Sequence, residues 1–412
     1  MGRGRLSRGF ETCRGSGARH RRMSLEVAMA GNNGQPPLEI VAVRGNEELR
    51  SFLRVPWSLY ADDPNWVPPL LLERREHLSK RNPYFRHATY QSWIARRGTR
   101  TVGRISAQVD HLHLRRYDDR TGFFGMIEAV DDRELFQALF DAAQNWLMEQ
   151  GMRRVMGPFN LSINDELGLL VEGFDTPPMI MMGHSLPYYA GRIEEQGFSA
   201  AQNLLAYRIR CDFPAPRHLD ALTARVAGRV RLRTPSRETF SGDLAIIKDL
   251  FEDAWANNWG FVPFTDEEFT ELGRNLRLLV PLDYVRIAEV DGEPAAMMVL
   301  FPNLNEAIRD LDGRLFPLGW LKLLWRLKVS GVKSGRVPLM GVRQRFQGGR
   351  LGATLALMMI TSLQTSGLGR GMEDVEMSWI LEGNRGMRNI IESIGGKPYK
   401  RYRIYQKELQ GC

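Results

Sequence analysis

Cysteine is nearly absent from this 412-residue chain: Cys13, Cys211 and Cys412 are too few and too scattered for a disulfide framework or a CxxC pair. A reducing cytoplasm is therefore the simplest setting. No His/Cys/Asp cluster has metal-ligand spacing, and no helix carries glutamates clustered as a nucleotide pyrophosphohydrolase would need, so no metal is expected. No run approaches the roughly 18 consecutive apolar residues of a spanning helix. Charge of one sign is also scarce once it is located. The net charge is +8, but residues 1–22 hold seven arginines and one glutamate, which leaves +2 for the remainder. A nearly neutral globular part implies no nucleic-acid partner.

What remains is ordinary globular material, 43% apolar and 25% charged, in a chain long enough for two domains with separate cores. Residues 1–37 are Arg- and Gly-rich without hydrophobic periodicity and read as a disordered tail. A transit peptide fits that composition, as does an upstream extension with Met23 or Met29 as the start; no apolar h-region follows to direct secretion. Folded sequence begins at Leu38–Val43, a strand, followed by a helix near Glu47–Tyr60 and a hairpin at Gln91–Val109.

The most informative stretch is Val337–Tyr405. An apolar strand, Val337–Val342, runs into Gln347-Gly348-Gly349-Arg350-Leu351-Gly352-Ala353, and an amphipathic helix opens at once. Glycines let backbone approach an anion closely, and the free N–H groups and positive dipole end of the new helix bind it. Arg343, Arg345 and Arg350 add charge suited to phosphate oxygens. The next strand contains Glu376-Met377-Ser378-Trp379-Ile380-Leu381. Asn384 then opens a helix that stops at Gly395-Gly396 before a closing strand through Tyr405.

The same order occurs earlier. Gly122–Val130 is a strand, and Arg133–Gln150 has apolar residues at helical period. Arg153–Asn160 is a strand again, Tyr188–Gln196 a short helix stopped by Gly197, and Leu204–Ile209 the closing strand. Two tandem units follow from this repetition: residues 38–212 and 244–412, with 213–243, which include Pro214 and Pro216, as the boundary. In the first unit Asp131-Asp132 replaces the glycine turn, so carboxylates stand where an anion would sit. Only the second unit should hold an anionic cofactor there.

This arrangement resembles the GNAT superfamily of acyl-CoA-dependent N-acyltransferases, an α/β fold with a mixed (α+β) sheet. Its pyrophosphate loop reads Gln/Arg-x-x-Gly-x-Gly/Ala. Gln347 and Gly352 match its first and last positions, while Arg350 stands where the middle glycine is usual. The resemblance implies acyl-CoA as co-substrate, lying across Val342, Arg343, Gln347, Gly348, Gly349, Arg350, Leu351, Gly352 and Ala353. The acyl group would then reach the Glu376–Leu381 strand, which includes Trp379. The tyrosine that commonly protonates the leaving thiolate in that family would fall at Ile391, which cannot donate a proton. Tyr399, Tyr402 and Tyr405 are the nearby alternatives, or the thiolate leaves unassisted. Glu376 or Glu382 could act as base. Asn384 sits close to the expected chemistry or caps its helix.

A second polar concentration, Asn160-Leu-Ser162-Ile-Asn164-Asp165-Glu166, followed by His184, suggests that the first unit supplies the acceptor site, with Asp165, Glu166 or His184 as base. The alternative is a capped loop beside a packed histidine. Around Trp320 and Trp325, apolar residues share a helical face next to Lys322, Arg326, Lys328 and Lys333. Such a helix suits a membrane interface or the mouth of an acyl-chain pocket, or packs on a core with snorkelling cations.

From Leu38 to Leu409 the chain is similar to bacterial double-GNAT proteins, including the bacterial ceramide synthases. That resemblance implies transfer of a long acyl chain to the amine of a sphingoid base; the scattered cysteines and the Trp320/Trp325 helix set the expected place as the cytoplasm or, peripherally, the inner face of the cytoplasmic membrane. Acetyl transfer to a small polar amine, or a non-catalytic ligand-binding protein on the same scaffold, are the alternatives. Oligomeric state is not legible.

Overall fold

The computed structural model describes residues 36–409 except 215, 217 and 218; the Arg-rich stretch at 1–35 lies outside them. The strands are β1 Leu38–Ala42, β2 Ala88–Arg97, β3 Arg100–Asp110, β4 Thr121–Ala129, β5 Arg154–Gly157, β6 Phe159–Asn160, β7 Glu166–Leu167, β8 Leu169–Glu172, β9 Ser199–Arg210, β10 Val230–Arg233, β11 Val285–Val290, β12 Glu293–Pro302, β13 Ser334–Val342, β14 Asp374–Leu381 and β15 Lys397–Glu408. The helices are α1 Asn46–Leu59, α2 Leu71–His77, α3 His111–Tyr117, α4 Arg133–Glu149, α5 Tyr189–Glu194, α6 Leu219–Val226, α7 Phe240–Trp255, α8 Asp266–Leu279, α9 Leu304–Ile308, α10 Gly319–Trp325, α11 Arg350–Gly369 and α12 Arg385–Ser393.

One mixed sheet runs β1-β2-β3-β4-β5-β15-β9-β14-β13-β12-β11-β10, with β8 also on β15, while β6 and β7 form a separate ribbon. The two closing strands are exchanged. β15, from the second repeat, pairs with β5 of the first, and β9, from the first, pairs with β14 of the second. Both occupy the centre with buried midsections: Leu204, Leu205, Ala206 and Tyr207 are buried on β9, and Tyr402, Ile404 and Tyr405 on β15, where Arg401 and Arg403 alternate with them and pair with carboxylates. The span 213–243 is more than a boundary, since it carries α6 and the edge strand β10, which pairs with β11. The strand expected at Arg153–Asn160 is interrupted at Pro158, which lacks an N–H for the ladder.

Each half has one parallel pair, β4 with β5 and β13 with β14. The second pair is short. Its register runs from Ser334–Asp374 to Val337–Met377 and then stops, although β13 continues to Val342 and β14 to Leu381. Beyond Val337 the facing edges of the two strands therefore have no ladder partner in each other, and a wedge opens.

The helices that follow β4 and β13 begin differently. Asp132 caps α4, accepting from Glu134 N at 2.9 Å and Leu135 N at 3.2 Å, and also pairs with Arg97. No side chain caps α11 at Gly349. Gly352 is required by close approach, because a Cβ there would stand 2.3 Å from the Phe346 carbonyl oxygen. By length and composition α11 would suffice to cross a membrane. It is instead half-buried, with Leu355, Leu357, Met359, Ile360 and Leu363 in the core of the second half; its Thr and Gly residues had interrupted any purely apolar run.

Candidate active site

The wedge between β13 and β14 opens into a cavity of about 310 Å³, lined by Pro338, Leu339 and Met340 from one strand and Ser378, Trp379 and Ile380 from the other. A buried polar group lies beneath it, of which Arg336 and Ser378 reach the lining. Arg336 and Glu376, opposite each other in the parallel register, are both fully buried, with Nε 3.6 Å from Oε1. Arg336 also donates to Ser378 Oγ at 2.7 Å and the Ile180 carbonyl at 3.1 Å, and its guanidinium lies 4.6 Å from the centre of the Trp379 ring. Ser378 and Tyr399 both donate to the Glu376 carboxylate. Burial pulls the Arg336 guanidinium below its ordinary pKa, against the stabilising charge of Glu376, and pushes the Tyr399 phenol well up. The Trp379 Nε1–H is buried without a partner, a donor available to a ligand in the wedge.

A larger cavity, about 550 Å³, adjoins the first. His77, Asp165, Met181, Leu272, Asn275 and Phe301 line both. Its polar wall comes from the first repeat. Glu166 accepts from Asn160 Nδ2 at 3.1 Å and lies 3.0 Å from Arg74; although burial alone would raise its pKa, Arg74, Asn160 and His77 together hold it down. Asp165 is shifted the other way. Burial raises its pKa and the neighbouring Glu166 charge adds to this, against His77 and the 2.9 Å hydrogen bond from Ser162. Glu128 accepts from Tyr60 at 2.7 Å and Tyr189 at 2.8 Å, and burial raises its pKa as well. His184 Nε2 is 2.8 Å from Asp63, burial lowers its pKa, and its Nδ1 is buried without a partner. This wall holds carboxylates and an open imidazole nitrogen, able to receive an ammonium and accept its proton.

The glycine turn lies past the end of β13. Arg343 is engaged by the Pro294 carbonyl at 2.8 Å and by Asp249, and Gln347 donates to the Val342 carbonyl at 2.7 Å. Both side chains shape the turn. Gly348 has φ +72°, which suits glycine, and nothing would obstruct a Cβ at Gly348 or Gly349, so the turn is open to solvent on that side. Arg350, the first residue of α11, is exposed and has no carboxylate partner among the described residues. Leu351, Gly352 and Ala353 complete the first turn of the helix.

The sequence-derived candidates separate into two groups. Asn160, Glu166 and His184 line the larger cavity, Asn164 and Trp379 the smaller, and Asp165 both. Glu382, Asn384, Tyr402, Trp320 and Trp325 line neither. Glu382 is tied to Asn203 at 2.9 Å and Arg401 at 3.0 Å. Asn384 caps α12 through Met387 N at 3.1 Å, the second of its two expected roles. Tyr402 is buried in the core, its hydroxyl unpartnered. Trp320 and Trp325 face outward, while Leu323 and Leu327 of the same segment reach the cavity. Glu376 is enclosed beneath the wedge and does not line it. Sequence reasoning missed Arg336, His77, Arg74 and Glu128. Arg336 had one legible signal, a lone charge in an apolar strand that leads into the glycine turn.

No protein-family model matches the sequence. Among solved structures, a tandem GNAT protein from the clavulanic acid biosynthesis pathway superposes with TM-score 0.52 at 14% identity, over 91% of this chain and 99% of that one. A glucosamine N-acetyltransferase region of a fungal multi-domain β-N-acetylglucosaminidase superposes with TM-score 0.56, also at 14% identity, over 90% of this chain and 38% of that one. The splayed parallel strands, the glycine turn and these superpositions define a tandem GNAT fold. Two curated proteins carry the assignment further. Protein YghO of Escherichia coli (strain K12) is 50% identical over 88% of this chain and 93% of its own length. The bacterial ceramide synthase of Caulobacter vibrioides (strain NA1000 / CB15N) is 45% identical over 90% of this chain and 98% of its own length. The chain belongs to the family of these proteins and is an N-acyltransferase.

Proposed function

We propose that this protein transfers a long-chain acyl group from acyl-CoA to the primary amine of a lipid-like acceptor such as a sphingoid base. The observation that carries the reading is the junction of two cavities at Asp165: a strand wedge leading from an uncapped helix N-terminus on one side, and a larger, mainly apolar chamber with an acidic wall on the other. The name of the Caulobacter relative supports the same substrate class. CoA phosphates would meet the first turn of α11, and pantetheine amides would satisfy the unladdered inner edges of β13 and β14. The ammonium gives one proton to Asp165. The free amine attacks the thioester carbonyl, the C–S bond breaks as the tetrahedral adduct collapses, and the nitrogen's second proton passes to the departing thiolate, which leaves as CoA thiol. A raised carboxyl pKa makes Asp165 the better base of the adjacent pair, since Glu166 is held ionised by Arg74.

The test is thiol release from palmitoyl-CoA and from acetyl-CoA with long-chain and short polar amines. Turnover of palmitoyl-CoA with the long-chain amine is expected, and turnover of acetyl-CoA alone would sink the lipid reading. Asp165→Asn should lower kcat by about 10²–10⁴-fold. Because the base works deprotonated and its pKa is raised, wild-type rate should fall with decreasing pH through a value above the ordinary carboxylate range. A variant with undiminished rate would place the base elsewhere.

A further inference from the structure

The apolar surface of this protein is concentrated in one place. Among the described residues, seven of the eleven exposed large hydrophobic side chains fall within residues 316–329: Phe316, Leu318, Trp320, Leu321, Leu324, Trp325 and Val329. They lie on α10 and on the turns at either end of it, the second being a π-helical turn, Arg326–Ser330. The opposite side of this segment is different. Leu323 and Leu327 form part of the wall of the 550 Å³ cavity, and Leu323 packs on the small cluster of Val67, Ile308 and Leu311. One short helix thus separates solvent from the 550 Å³ cavity, with apolar side chains on both faces.

Charge says what covers the outer face. Between Arg309 and Lys333 there are six Lys/Arg and two Asp, a net +4 in a globular part that is otherwise nearly neutral. Asp310 neutralises Lys322 and Arg326 in part and Glu373 pairs with Lys333 at 3.2 Å, whereas Arg314 and Lys328 have no carboxylate partner among the described residues. In a two-fold contact between copies the patch would meet itself, and like charges would oppose one another. Residues 1–22 carry a net +6 and would be repelled as well. An anionic bilayer satisfies both features: it attracts the cations, and its headgroup boundary accepts tryptophan and leucine side chains.

We propose that α10 and its flanking turns dock on the surface of an anionic phospholipid bilayer and form the gate through which a long-chain substrate passes between bilayer and cavity. The gate rests on the function proposed above; the docking does not. A substrate chain would leave the bilayer beneath α10 and enter alongside Leu323 and Leu327, never exposing its length to water.

The experiment is co-sedimentation of the full chain with phosphatidylcholine vesicles, with and without phosphatidylglycerol, at low and high salt. Wild type should sediment with the anionic vesicles and be released by salt. The variant carrying Leu321→Gln and Leu324→Gln, two exposed residues that line neither cavity, should partition at least about ten-fold less with an unchanged circular dichroism spectrum. It should also lose turnover of a vesicle-embedded amine while keeping turnover of a soluble short-chain amine. Wild type remaining in the supernatant would overturn the docking. So would a variant that sediments like wild type, or one that only converts a dimer to a monomer by light scattering. Vesicle binding through α10 without thiol release from any acyl-CoA would overturn the enzymatic reading and leave the docking intact.

Discussion

Arg336 and Glu376 are two full charges with no exposure to water, and each is tolerable only because the other is present. A carboxylate left alone in such a site loses its compensation while keeping its desolvation cost. Arg336→Met should therefore destabilise the protein by about 3–5 kcal/mol in urea unfolding. Adding Glu376→Gln should recover a large part of that loss, since Ser378 and Tyr399 remain to bond a neutral amide. Additive losses in the double variant would show that the pair is not coupled. The same geometry argues against Glu376 as the base. Its oxygens are occupied by donors and it borders neither of the two cavities, whereas Asp165 borders both.

Element by element, the two repeats differ most at one helix start. Asp132 uses its carboxylate to satisfy the first N–H groups of α4, and the corresponding end of α11 is left open behind Gly349. That turn depends on close approach at Gly352. Gly352→Ala forces the Phe346 carbonyl away and should cost about 1–3 kcal/mol, together with acyl-CoA affinity measured by calorimetry. Gly369→Ala, at the far end of the same helix where nothing lies within 4 Å of a Cβ, should leave affinity unchanged and stabilise by about 0.4–1 kcal/mol. Equal behaviour of the two variants would remove the need for close approach at the turn.

For the whole molecule the exchange of β9 and β15 decides how the chain can be divided. Residues 36–212 contain β9 but not the β15 that should lie beside β5, and residues 213–409 contain β15 but not the β9 that should lie beside β14. Each piece alone leaves central strand edges unpaired, a state prone to aggregation. The separate fragments should be insoluble or unfolded by circular dichroism, and co-expression should give one complex eluting at the size of the intact chain. Two independently folded, soluble fragments would show that the exchange is dispensable. His87 ties the halves further, with Nδ1 3.2 Å from Asp110 and Nε2 3.0 Å from Glu268 of α8; these carboxylates outweigh the effect of burial and raise its pKa to about 9.

Local pattern in the sequence was sufficient for the main elements of the two repeats, though not for α6, β10 or the break at Pro158. The helical period of Leu135–Leu147, the glycines at 348, 349 and 352 and the repeated closing segments depend on neighbours a few residues away, and they identified the fold and the turn. The polar density from Asn160 to Glu166 and His184 likewise marked cavity walls, because so many hydrogen-bonding side chains beside an apolar strand need a common purpose. What only the tertiary structure decided was which of these residues meet. Arg336 and Glu376 are forty positions apart and become a pair through a parallel ladder, Asp165 becomes a junction because two halves close over it, and Trp320 turns outward because Leu323 and Leu327 take the inner face. Strand exchange leaves no local trace, since β9 and β15 each follow a glycine-stopped helix and nothing in their immediate neighbours says which half they close. Their destination is set by the packing of the whole sheet.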